Sequence, residues 1–164
     1  MRRRPPIGGI WMVQESLLAH EPVTADAPAN DIGFAPLTSV PKDYFVERDG
    51  QIFAGSHVLV DLWGASNLDN QDLIEKALRE AVDTCGATLL HIHLHRFTDG
   101  GGISGVAVLA ESHISVHTWP ERGFAAFDIF MCGQCYPEKA LPVFQRYFHP
   151  AEMKTNHHRR GIVE

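Results

Sequence analysis

Between Thr88 and Met131 the chain breaks into four short β-rich runs with almost nothing between them: Thr88–Phe97, Ile103–Ala110, Ser112–Trp119 and Phe124–Met131. No helical period interrupts them. Consecutive strands with short connections point to an antiparallel sheet rather than a parallel one wound through helices. One face of such a sheet takes the helices, and the other must be covered or lie open.

The flanking segments supply the second layer. His57–Trp63 reads as a further strand, stopped by Gly64. Residues 70–85 carry Leu73, Ile74, Ala77, Leu78, Ala81 and Val82 at helical spacing, with Asn67 or Asp69 as cap and Gly86 as a left-handed stop. Pro137–Phe148 reads as a second helix despite Pro142, and residues 151–158 as a closing strand. The expected fold is α+β, a two-layer sandwich with helices on one face of an antiparallel sheet. Residues 1–48 hold six of the ten prolines and no sustained period, so they read as an irregular arm ahead of one domain over 49–164. Met12 is an alternative start.

Composition narrows the function. A net charge of −6 and a pI near 5.9 argue against nucleic-acid binding. No apolar run is long enough to span a bilayer. Pro5, Pro6, Gly8 and Gly9 follow the N-terminal arginines where a secretory signal would be apolar, so a cytoplasmic protein is expected. Three cysteines (Cys85, Cys132, Cys135) do not make a disulfide framework. The few lysines (Lys42, Lys76, Lys139, Lys154) avoid the motif-rich centre, which disfavours pyridoxal phosphate.

Several side chains could carry chemistry. Ser112 directly follows Glu111, and His117 lies five residues on. Imidazole exchanges protons readily near neutral pH, but an odd separation along a regular strand sets Ser112 and His117 on opposite faces. A turn or bulge at the Glu111–Ser112 bond would be needed. Ser104 follows Gly100, Gly101 and Gly102, whose backbones are permissive. Cys132-Gly-Gln-Cys135 has the spacing of a thiol–disulfide pair or half a zinc site, although no second C-x-x-C completes one. His91, His93 and His95 share one strand face, as a metal ladder or, the reading favoured here, a structural polar face. Taken alone, Phe97 at a strand end reads as core packing and Glu121 as a solvated turn residue.

The run Glu-Ser-His-Ile-Ser-Val-His-Thr-Trp-Pro-Glu over 111–121, continued by Gly123-Phe-Ala-Ala-Phe-Asp-Ile-Phe, resembles the self-cleavage site of the small prokaryotic S-adenosylmethionine decarboxylase proenzymes. The resemblance covers residues 55 to about 140, and nothing in 1–48 matches. It implies that Ser112 attacks the Glu111 carbonyl, and that elimination and hydrolysis then leave a pyruvoyl group in place of the serine. This group would bind the amine of S-adenosylmethionine as a Schiff base and act as electron sink for loss of CO2. It further implies His117 as processing base, Ser104 as an aid to processing, Cys132 as proton donor, and Phe97 and Glu121 as adenine and ribose contacts. No metal is implied. Decarboxylated S-adenosylmethionine, the aminopropyl donor of spermidine synthesis, would be the product. The implied assembly is a homodimer stacked α/β/β/α, with each active site using both subunits. Alternatives are a relative that decarboxylates arginine or ornithine, an uncleaved regulatory paralogue, and a metal- or redox-active protein.

Overall fold

The computed structural model describes residues 44–163. The expected arm over 1–48 therefore falls outside the described residues, apart from Tyr44 to Arg48. The last three of these form strand β1 (Val46–Arg48), which turns at Asp49-Gly50 into the long strand β2 (Gln51–Trp63). Helix α1 (Gln71–Cys85) follows, then a meander of β3 (Leu89–Arg96), β4 (Ile103–Leu109), β5 (Ser112–Trp119) and β6 (Phe124–Cys132). Helix α2 (Ala140–Phe148) and strand β7 (Glu152–Ile162) complete the described chain.

Every strand pair is antiparallel. β6 and β7 both pair with Val58 and so lie on opposite edges of β2. The sheet runs β7, β2, β6, β5, β4, β3, and β1 continues the edge of β2 where β6 ends. Among the described residues no helix is long and apolar enough to cross a membrane.

Alternation divides the sheet into two faces. Val58, Val60 and Leu62 of β2, Ile114 and Val116 of β5, and Phe127 and Ile129 of β6 are buried beneath the helices. From above, α1 contributes Ile74, Ala77, Leu78, Ala81, Val82 and Cys85, a stripe at helical spacing. From α2 come Val143, Phe144 and Phe148. Phe127 stacks on Phe144 at 4.2 Å between ring centres and meets Phe148 at 5.5 Å, which seats α2 over the middle of the sheet. The opposite face has no second layer among the described residues. It carries His57, His113, Ser115, His117 and Asp128, and at its β3 edge His91, His93 and His95.

The two-layer α+β architecture matches the sequence expectation, with local differences. α1 is capped by Asn70, whose side chain accepts from the Leu73 amide at 3.1 Å, rather than by Asn67 or Asp69. Asn67 instead adopts φ +63° and donates through Nδ2 to the Tyr147 carbonyl. Gly86 stops the helix as expected, at φ +78°. Pro142 is the third residue of α2, where its missing N–H would have had no intrahelical partner. β2 and β7 are longer than expected because each extends along the other, beyond the apolar stretch that marks them in sequence.

Two substitutions test this packing. Phe144→Ala should lower unfolding free energy by about 3–5 kcal/mol, and Asn70→Ala by about 1 kcal/mol, both read from denaturant midpoints.

Candidate active site

The hairpin between β4 and β5 sets out the site. Leu109 pairs with Ser112, so Ala110 and Glu111 alone make the turn. Ala110 is tied down by its amide, which donates to the Thr88 carbonyl at 2.9 Å. Glu111 then takes φ +64°, a left-handed conformation that costs an ordinary L-residue about 1–2 kcal/mol. The peptide after it is the Glu111–Ser112 bond; the turn lies before Ser112, and β5 then runs without a bulge to His117, so the two side chains are not brought to one face. The Ser112 hydroxyl oxygen accepts from the Cys132 amide at 3.1 Å, which holds it against the end of β6.

Around this turn lies a cleft of about 400 Å³, lined by Tyr44, Glu111, Cys132 and Cys135 among others. Burial raises the Cys132 thiol above the ordinary range, and the negative Glu111 and the neighbouring Cys135 push it further the same way. Burial and Glu111 also raise Cys135, against the opposing pull of Arg48. All three cysteines are free thiols. A C-x-x-C built for disulfide exchange has a thiol of lowered pKa, commonly at a helix N-terminus. Here Cys132 ends β6 and Cys135 lies in the turn that follows, with both thiols shifted the other way. Its environment suits a thiol that keeps its proton.

The other end of β5 carries a different group. Ser104 and His117 are cross-strand partners on the open face, and Ser104 Oγ lies 2.9 Å from His117 Nδ1. Next to them Thr118 faces the core. It is the one buried polar side chain among the described residues, and its hydroxyl bonds the Leu68 carbonyl and the Ile103 amide, each at 2.8 Å. Gly102 closes the approach, since a Cβ there would come within 2.4 Å of the Thr118 carbonyl oxygen. Phe97, 65% exposed, and Glu121, in the 3-10 turn Pro120–Arg122, join Ser104 and His117 around a cavity of about 360 Å³. Trp119 lines this cavity too.

The expected site residues thus form two groups. Glu111, Ser112 and Cys132 cluster at the start of β5, and Phe97, Ser104, His117 and Glu121 near its end. Five residues of extended strand separate Ser112 from His117, about 17 Å. By alternation they also lie on opposite faces. Sequence reading misses Tyr44, which lines the same cleft as Glu111 and lies where no recognisable motif marks it. Among the described residues no group of three or more His, Cys, Asp or Glu side chains is arranged to hold a metal ion, and His91, His93 and His95 are exposed along the β3 edge.

Comparison with known proteins gives these groups a context. The S-adenosylmethionine decarboxylase family profile matches residues 56–161. An S-adenosylmethionine decarboxylase proenzyme of Methanococcus maripaludis is 47% identical over 113 residues, 67% of this chain and 92% of that one. Another from Thermomicrobium roseum is 44% identical over 110 residues, 66% and 95% of the respective chains. The crystal structure of the adenosylmethionine decarboxylase from Aquifex aeolicus has a TM-score of 0.61 at 34% identity, covering 68% of this chain and 94% of its own. On a profile match that spans six of the seven strands and both helices, with whole-length relatives and a shared fold, the chain belongs to the S-adenosylmethionine decarboxylase family.

Proposed function

We propose that this decarboxylase cuts itself between Glu111 and Ser112 and uses the resulting pyruvoyl group to decarboxylate S-adenosylmethionine. The observation that carries the proposal is the left-handed Glu111 directly before a serine whose hydroxyl is fixed beside Cys132. Strain of this kind raises the scissile peptide towards a tetrahedral intermediate. Attack by Ser112 Oγ on the Glu111 carbonyl carbon forms an ester as the peptide C–N bond breaks, and the hydroxyl proton passes to the freed Ser112 amine. Removal of the Ser112 α-proton then expels the Glu111 carboxylate, and hydrolysis of the dehydroalanine releases ammonia. The pyruvoyl group, once formed, supplies an electron sink for the departing carboxyl group's electrons. The environment of Cys132 keeps a thiol proton within the same cleft, as a donor to the substrate carbon requires.

His117 and Ser104 act on this bond from a second copy. Within one chain their hydrogen-bonded pair is a strand's length from Ser112 and cannot reach it. A two-fold axis running across the strands, between two stacked open faces, brings the turn of one chain against the Ser104–His117 end of the other. Phe97 and Glu121 travel with that pair and meet the adenine and ribose of the substrate there. The homodimer is therefore part of the proposal, with each active site shared. Three free thiols accord with the reducing cytoplasm as its location. The named relatives are S-adenosylmethionine decarboxylase proenzymes, and no observation favours arginine, ornithine or a purely regulatory role.

Denaturing mass spectrometry should find fragments 1–111 and a pyruvoyl-capped 112–164, and only intact chain for Ser112→Ala. Co-expression of differently tagged Ser112→Ala and His117→Ala chains tests the shared site. Cleavage of the His117→Ala chain alone is expected, and no cleavage of either chain would place both groups in one subunit. Cys132→Ala should retain self-cleavage but lose roughly 100-fold or more in kcat. Since the donor must be protonated and its pKa is raised, wild-type kcat should fall only as pH climbs past the ordinary thiol range, in CO2-release assays.

A further inference from the structure

Arg48 ends β1, ahead of the residues 56–161 that the family profile matches, yet its side chain reaches the turn that follows Cys132. The ladder between β2 and β6 stops at the pair Gly55–Cys132, and Gly133 then takes φ +60°. The chain therefore leaves the sheet directly after the thiol. The far end of the turn is pinned to α1. There the Tyr136 amide donates to the Cys85 carbonyl at 3.1 Å, and the Cys135 thiol to the Gly86 carbonyl at 3.4 Å. Between these points the turn is held from β1. The Gly133 amide donates to the Tyr44 carbonyl at 3.1 Å. One nitrogen of Arg48, Nη2, donates to the Cys135 carbonyl at 2.9 Å and to the Gly133 carbonyl at 3.3 Å. A single donor atom thus clips together the backbone from Gly133 to Cys135, and the guanidinium lies over the Tyr136 ring at 4.3 Å. The clip is itself anchored, since Arg48 pairs with Gln51 and its carbonyl accepts from Arg159 at 3.3 Å.

We propose that Arg48 is a positioning residue for proton donation, bracing the turn after Cys132 so that the thiol stays aimed at the substrate carbon. The inference rests on the decarboxylation proposed above and extends it to a residue outside the family match. A proton donor works only within hydrogen-bond reach of its target, and a displacement of about 1 Å can cost about a hundredfold in rate. Gly133 is the joint where such a displacement would start, because a residue without a Cβ leaves many backbone states open. The guanidinium, always charged and rigid, closes that freedom by holding the carbonyls on both sides of Gln134. Arg48 acts through the turn alone. The Ser112 hydroxyl is fixed by the Cys132 amide, which lies on the β6 side of the Gly133 joint. Self-cleavage therefore does not depend on the brace, whereas turnover does.

The test compares two rates in the full chain. Self-cleavage is followed by denaturing mass spectrometry after cell-free translation, and turnover by CO2 release from S-adenosylmethionine. Arg48→Met keeps the apolar stem and removes the donors. It should cleave within about twofold of the wild-type rate, yet lose roughly tenfold or more in kcat with KM little changed. Arg48→Lys, whose ammonium can also span two acceptors, should recover part of that loss. Arg159→Met is the control, because Arg159 donates to β1 at the Arg48 carbonyl and the Gln51 side chain but finds these partners outside the turn. Its kcat should match wild type. The mass of fragment 112–164 reads the aim of the proton directly. A proton delivered to the carbon of residue 112 reduces the ketone to alanine with the substrate's nitrogen, and releases the oxidised substrate as an aldehyde. That conversion should be more frequent per turnover in Arg48→Met than in wild type. Equal losses of cleavage and kcat, equal losses in Arg48→Met and Arg159→Met, or an unchanged kcat overturn the positioning role while Ser112-dependent cleavage stands. Where Arg48→Met fails to fold, Arg48→Gln carries the same comparison. A wild-type chain that releases no CO2 removes the decarboxylation reading and this one with it.

Discussion

Everything in the site depends on the register between β4 and β5. One ladder sets Leu109 opposite Ser112, leaving two residues for the turn, and also sets Ser104 opposite His117. Slipping it by one residue would lengthen the turn, relax Glu111 and send Ser104 to the wrong face. The register is held mainly from inside. Thr118 is buried in an apolar layer, where an unpaired hydroxyl is costly, and its partners are the Ile103 amide at the start of β4 and the Leu68 carbonyl before α1. One satisfied core hydroxyl therefore fixes where β4 begins relative to β5, and so where the strained turn falls.

The chemistry at that turn depends on partial withdrawal from water. Cys132 ends β6, and the carboxylate of Glu111 stands near enough to reinforce what burial does to its thiol. A nucleophilic or redox cysteine needs the opposite setting, a nearby cation or a helix N-terminus. Arg48 is the cation close by, but its guanidinium donates to the Cys135 and Gly133 carbonyls and lies over the Tyr136 ring at 4.3 Å. It shapes the turn after Cys132, and the Cys132 thiol keeps its proton.

Much of this architecture was legible in the sequence because it follows from short-range rules. Alternating apolar residues marked β4, β5 and β6, and the stripe from Leu73 to Val82 with Gly86 marked α1. Pro142 suggested a weaker helix only because the preceding 3-10 turn Pro137–Lys139, which shifts the proline into the first turn of α2, leaves little trace in composition. The full lengths of β2 and β7 were hidden for another reason. The added stretches, residues 51–56 of β2 and 159–162 of β7, gain their strand character from pairing with β1 and with each other across about a hundred residues, which local pattern does not encode. The site residues were named by motif, but motif spacing says nothing about which of them meet. Tyr44 escaped because its place in the cleft comes from a long-range backbone bond with Gly133, within a stretch that has no period of its own.

The stiffness of β5 gives the division of the site its consequence. An extended strand cannot fold back over five residues, so Ser112 and the Ser104–His117 pair remain apart in any single folded chain. On the proposed face-to-face assembly they meet only when two finished sheets stack. The strained turn is then built during folding of one chain, while the base that acts on it arrives with the second. The proposed self-cleavage would not precede folding, because the strain at Glu111 exists only after β4 and β5 have paired. Nor, on that assembly, would it precede association, because His117 would come from the other copy. On this proposal the order of events follows from strand geometry: folding first, pairing second, peptide scission last.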